Sequence, residues 1–176
     1  HGAGETRWKT FSAGDGPAVS VDTEREAGDS LLRRYVPGSD ADQPIVWYEG
    51  SGLTDRRGLH QDRQGSVIAW SNGTAAAQAE YSYGPYGEPS NWSGSRFSYT
   101  GQVALAEVQL YHYKARTYDP GRGWFLQTDP VGYQSDLDLY AYVKDDPINN
   151  VDPTGQACDG VGPCDPDGIR AEIAAA

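Results

Sequence analysis

The chain has 176 residues, enough for a domain with its own core. A net charge of −11 without a basic face argues against a nucleic-acid binder, and the lack of a long apolar run argues against a membrane-spanning helix. Twelve Tyr and five Trp, against three Phe and no Met, with 22 Gly and 11 Pro, favour short strands and frequent turns over long helices.

In chain order, residues 1–30 are mixed and polar. The start, HGAGETRWKT, lacks both Met and an apolar signal-peptide core, as a mature product or a piece of something longer would. Within it RWKTFS suits a strand and AGDGPAVS a loop. Leu31 to Gly38 and Pro44 to Gly50 are two expected strands joined by a polar turn. RRGLHQDRQGSVIAWSNG then predicts a strand, a tight turn near Asp62 to Gly65, and a strand ending at the hairpin signal Asn72-Gly73. AEYSYGPYGEPSNWSG adds a strand and a Gly/Pro-rich turn, and RFSYTGQ a short strand.

The clearest strand pair is predicted in VQLYHYKARTYDPGRGWFLQTDP, with its turn at Asp119-Pro120-Gly121. Taken as one strand, LYHYKARTY puts Tyr111, Tyr113, Ala115 and Thr117 on one face and His112, Lys114, Arg116 and Tyr118 on the other. Leu137, Leu139, Tyr140 and Val143 have roughly helical spacing, which predicts one short helix over 136–145. Beyond Gly155 the composition shifts to small residues, as in a linker. The expected fold class is therefore mainly β, a spiralling run of antiparallel hairpins in a solenoid-like sheet.

The run from Trp124 to Gly155 holds two Asp-Pro-x-Gly units, led by Asp129 and Asp152 and 23 residues apart. Such a unit is an ordinary turn, in which Asp caps, Pro fixes φ and Gly takes the left-handed position. It also supplies a carboxylate, and two carboxylates brought together can perform acid–base chemistry. Residue patterns alone leave both roles open.

Several stretches together resemble the RHS/YD-repeat family, in particular its RHS repeat-associated core. They are LHQDRQGSV, YSYGPYGEP, RFSYTGQ, LYHYKARTYDPGRGWFLQTDPVGY and LYAYVKDDPINNVDPTG, spanning about Leu31 to Gly155. The resemblance implies a core module over 31–155, with 1–30 leading into it and 156–176 as a tail. It implies a hollow β-cocoon that upstream repeats build and the core closes around a C-terminal toxin, in a secreted bacterial protein. It also implies self-cleavage by Asp129 and Asp152, between Gln156 and Ala157. Two close carboxyls can share a proton, so that one pKa rises and the other falls.

The sequence departs from the family at Gln156, where Leu is usual. It also reads Gly123-Trp124-Phe125 where Gly-Arg-Phe is usual, which leaves Arg122, displaced by one, as the candidate cation. Asp138 and Asp145 stand where the family has asparagines, and extra charge near the pair would raise both pKa values.

Other candidates carry blander expectations. His60 and Asp62 suit structural hydrogen bonds across a turn better than a metal site, and no metal or cofactor is expected. The tyrosine stripe suits cross-strand packing better than a sugar platform. Cys158 and Cys164 are either a small disulfide loop or two inert thiols. Asn72 and Asn91 head glycosylation triplets. The alternative function is an extracellular structural protein that pairs sheet edges with copies of itself into filaments or a surface layer.

Overall fold

The fold, taken from a computed structural model, is described for residues 6–11, 20–26, 30–38, 43–134 and 137–156. The chain divides into two compact units, 1–81 and 82–176. The first is an antiparallel meander in which each strand pairs with the next. Its strands are β1 (Thr6–Phe11), β2 (Ser20–Glu26), β3 (Leu31–Pro37), β4 (Pro44–Glu49), β5 (Arg56–Gln61), β6 (Val67–Ser71) and β7 (Ala77–Glu80). The expectation of a mainly β chain of antiparallel hairpins holds.

Strand alternation gives this sheet one aromatic face. Tyr35 pairs with Trp47, Trp47 with Arg57, and Leu59 with Trp70. The Trp47 and Trp70 ring centres are 5.3 Å apart. The Arg57 guanidinium lies 5.7 and 5.0 Å from those two centres and pairs with Glu49 at 3.2 Å. An arginine over indole is worth about 0.5–1 kcal/mol at partly wet sites, so Arg57 covers the face as well as charging it.

The hairpins β5–β6 and β6–β7 close with the same turn. Asp62 Oδ1 accepts the Gln64 and Ser66 N–H groups, as Asn72 Oδ1 accepts those of Thr74 and Ala76. The fourth residue is left-handed in each, Gly65 at φ 85° and Ala75 at φ 62°. The Asn72-Gly73 signal thus marks a hairpin, but the left-handed residue is Ala75, because the side chain of Asn72 organises the loop as an Asx turn.

The second unit carries a four-stranded antiparallel sheet ordered β11-β10-β9-β8. Its strands are β8 (Val103–Leu105), β9 (Leu110–Tyr113), β10 (Arg116–Asp119) and β11 (Trp124–Phe125). Here the expected single strand through LYHYKARTY is corrected. Lys114 and Ala115 form a two-residue turn, with Lys114 at φ 59°, and Arg116 pairs back onto Tyr113. Two-residue hairpin turns favour positive φ at their first residue, a place Gly usually takes. The turn resets the alternation, so Tyr111, Tyr113, Arg116 and Tyr118 are all buried while His112 is exposed.

Those tyrosines form the core of this unit, with Tyr99, Phe125 and Tyr142. Tyr118 and Tyr142 are 4.6 Å apart between ring centres, and Tyr113 meets Phe125 and Tyr142 edge-on at 5.5 and 5.6 Å. Buried hydroxyls need partners, and these have them. Tyr99, Tyr118 and Tyr111 donate to the carbonyls of Pro85, Tyr86 and Gly87 at 3.3, 2.8 and 2.9 Å. The tyrosine stripe is therefore packing, as expected.

The short helix expected over 136–145 is replaced, in the described part of that span, by turns and one 3-10 turn, Val143–Asp145. All three of its residues have positive φ. Tyr142 and Val143 bury against the tyrosine core while Leu137 and Tyr140 stay exposed, so the apolar spacing does not define one helical face.

Candidate functional site

The Asp-Pro-x-Gly units at 129–132 and 152–155 each fold as the turn their sequence suggests. Asp129 Oδ1 accepts the Val131 N–H at 2.8 Å, and Gly132 is left-handed at φ 77°. Asp152 Oδ1 accepts the N–H groups of Thr154, Gly155 and Gln156 at 3.2, 2.9 and 3.2 Å. Gly155 is left-handed at φ 69°, and a Cβ there would lie 2.1 Å from the Tyr113 carbonyl oxygen.

The other carboxylate oxygens turn inward to a shared partner. Arg116 Nη2 lies 3.0 Å from Asp129 Oδ2 and 3.3 Å from Asp152 Oδ2. All three side chains are shut off from solvent, at 2% exposure for Arg116, 4% for Asp129 and 2% for Asp152. The two units are thus punctuation and an acid pair at once, with Oδ1 shaping the turn and Oδ2 facing the cluster. The expected picture of two acids sharing a proton is modified, because a guanidinium stands between them.

Arg116 is itself fully engaged. Its Nε donates to the Gly155 carbonyl at 2.6 Å and its Nη1 to the Leu139 carbonyl at 3.3 Å. The guanidinium carbon sits 3.6 Å from the centre of the Phe125 ring. The main chain of the second turn docks on the β9–β10 hairpin. The Ala115 N–H donates to Thr154 O at 3.1 Å, Lys114 Nζ donates to Pro153 O, and Gln102 Nε2 reaches the same oxygen at 3.4 Å.

Burial pushes the Asp152 carboxyl up to about 6, although Arg116 and the N–H groups of Thr154, Gln156 and Gly155 pull it back. Burial likewise lowers the Arg116 pKa, against the upward pull of Asp129 and then Asp152. An acid that exchanges its proton near pH 6 beside a fixed cation is equipped for acid–base work at mild pH.

The structure brings Asp129 and Asp152 together with Gln156, whose amide is bonded to Asp152. It does not bring Arg122. That side chain is 64% exposed and pairs with Asp119 at 3.5 Å, so Arg116 takes the place given to Arg122. Arg122 falls in the loop after β10, where no sheet directs it inward. Asp138 and Asp145 are both exposed, and Asp138 Oδ1 accepts the Tyr140 N–H at 2.9 Å; burial, not their charge, leads the rise at Asp152.

His60 Nε2 bonds Ser71 Oγ at 3.0 Å across the β5–β6 pair, while Asp62 caps its own turn. Among the described residues no cluster of three or more His, Cys, Asp or Glu could hold a metal. Asn72 is half-buried in its turn and Asn91 is exposed, each side-chain oxygen accepting bonds from the Thr or Ser two residues on. Ala157, Cys158 and Cys164 lie outside the described residues, and so does the bond expected to be cut. No described helix is long and apolar enough to cross a membrane.

Sequence reasoning missed Arg116 and Lys114. The signal was present in the buried series Tyr111, Tyr113, Arg116, Tyr118, whose steps are two, three and two. The step of three marks a two-residue turn inside what looks like one strand.

No protein-family model matches the chain. It is 32% identical over 151 residues to the tRNA3(Ser)-specific nuclease WapA of Bacillus spizizenii, a match covering 80% of this chain and 6% of that protein. It is 29% identical over 165 residues to toxin subunit YenC2 of Yersinia entomophaga, covering 85% of this chain and 16% of that subunit. The chain thus spans a small part of the length of these relatives. Its fold is that of part of a crystal structure of TcdB2-TccC3-TEV, with a TM-score of 0.62 at 23% identity, covering 76% of this chain and 7% of that one.

Proposed function

We propose that this chain, a member of the RHS family with kinship to toxin components, is a shell-closing core module that cuts itself between Gln156 and Ala157. The module occupies 31–155, with 1–30 leading in from upstream repeats and 156–176 running toward an enclosed toxin segment. The setting is a secreted bacterial protein. One observation carries the reading: two buried carboxylates meet one guanidinium nitrogen, beside the point where the chain leaves the second turn.

The chemistry is hydrolysis by one water. Asp129 takes a proton from the water as its oxygen adds to the Gln156 carbonyl carbon. Asp152 gives its proton to the Ala157 nitrogen as the C–N bond breaks. The products are a new carboxyl on Gln156 and a new amine on Ala157. Asp152 is assigned the acid because burial holds its pKa near 6. Arg116 fixes both carboxylates and stabilises charge that grows between them.

Intact mass of the purified chain, incubated for days at pH 5 and pH 7 beside Asp129→Asn, tests this. The expected result is a fragment ending at Gln156 in the first protein and full length in the variant. Two full-length proteins at both pH values would end the self-cleaving reading, and a fragment one glutamine shorter would move the cut to the Gly155–Gln156 bond.

A further inference from the structure

The β9–β10 turn meets the second Asp-Pro-x-Gly unit in register. The two turn residues Lys114 and Ala115 and the first residue of β10, Arg116, donate to three consecutive carbonyls, those of Pro153, Thr154 and Gly155. The middle bond is main chain to main chain and the outer two come from cationic side chains. On the far side of the segment, Asp152 Oδ1 collects the N–H groups of Thr154, Gly155 and Gln156. Both edges of the main chain over 154–155 are therefore held.

Side chains of the held segment contribute little to the grip. Pro153 and Thr154 are half-buried, and the hydroxyl of Thr154 adds one bond, to Asp152 at 3.3 Å. Gly155 is selected by exclusion, because its Cβ would strike the Tyr113 oxygen and lie 3.0 Å from Arg116 N.

We infer that Lys114, Ala115 and Arg116 form a main-chain clamp, and that Lys114 is a positioning residue that sets the chain against the two carboxylates. The inference rests on the self-cleavage reading and adds what the site takes: a peptide segment gripped by its carbonyls, with glycine required at its last gripped position. Lys114 acts on the site through the Pro153 carbonyl and so sets where the following peptide lies. A charge-assisted bond to a carbonyl is stronger than a neutral one, enough to decide the position of a short segment.

The test uses the whole chain and two readouts. In the first, Lys114→Met slows self-cleavage by about 10-fold to 100-fold, the effect of a misplaced reacting group, and Lys114→Arg restores most of the rate. In the second, amide hydrogen exchange is followed in an Asp129→Asn background that does not cut. Exchange at Thr154 to Gln156 rises about tenfold or more with Lys114→Met, while Tyr111 and Tyr113 keep their protection.

Cutting at the wild-type rate with unchanged exchange in Lys114→Met overturns the clamp and leaves self-cleavage standing. A wild-type chain that never cuts, with exchange still dependent on Lys114, ends the self-cleavage reading and keeps the clamp as a purely structural grip. Loss of protection throughout β9 and β10 also overturns the inference, by giving Lys114 a general structural role.

Discussion

Replacing Arg116 by Met should cost more than any other single charge removal in the second unit. The substitution keeps an apolar stem for the Phe125 ring but strips the cation from two carboxylates that are 4% and 2% exposed. It also takes the Arg116 donor from the Gly155 carbonyl and one of two donors from the Leu139 carbonyl, which keeps the Asp129 N–H. Breaking a buried pair by removing one partner costs about 3–5 kcal/mol. The two pairs share one nitrogen, so their losses do not add, and the same range is expected at pH 8. That is a large part of the roughly 5–15 kcal/mol that holds a domain together.

The pH dependence has a definite sign. Without the cation, the buried Asp152 carboxyl gains pKa beyond its already raised value, and a raised folded-state pKa means stability present at low pH and lost as pH rises through it. The gap between variant and wild type should shrink by about 1.4 kcal/mol for each pH unit from the variant's raised value down to about 6, where wild-type Asp152 also takes up its proton, and stay level below that. Urea unfolding at pH 5 and pH 8 measures it, with Trp92 as reporter, since its ring lies 5.0 Å from that of Tyr111. Arg122→Ala is the control and should stay within about 0.5 kcal/mol of wild type. Equal losses for the two arginines, or a gap that widens in acid, would refute the reasoning.

Asp152→Asn isolates the titration of Asp152 itself. Its carboxyl is raised from 3.8 to about 6, so wild type should lose up to about 3 kcal/mol relative to the variant between pH 4 and pH 7. Urea midpoints across that range check it, and a flat difference would contradict the burial argument. Gly87→Ala should cost about 1–3 kcal/mol or more, because Gly87 has φ 89° and a Cβ there would lie 2.4 Å from the Tyr99 ring. Gly84→Ala should cost less, since its Cβ would meet only the movable end of Glu88. Thermal midpoints of the two variants rank them.

What could be seen in the sequence was whatever a short segment decides for itself. Strands β3 and β4 fall where alternation and turn residues put them, because each is flanked by residues that stop a sheet. The turn at Asp62 was visible because its carboxylate and Gly65 carry the whole geometry within five residues. The pairing of Asp129 with Asp152 came from family resemblance and could not come from spacing, since it depends on how two turns pack. Arg116 was hidden because Lys114 occupies a left-handed position without the Gly or Asn that announces one. The helix over 136–145 was misjudged because burial there is dictated by the tyrosine cluster, which selects Tyr142 and Val143 and leaves Leu137 in water.

The grip on residues 85–87 has a bearing on how this scaffold could be re-engineered. Three neighbouring carbonyls are each fastened by a hydroxyl from a different place in the chain, Tyr99, Tyr118 and Tyr111. Adding or deleting one residue there would throw all three fasteners out of step together. The bend headed by Asn72 is held by bonds within residues 72–78 and stands open to water at residues 73–76. A tag, an epitope or a small guest domain belongs at that bend, and the stretch around Tyr86 should be left at its native length.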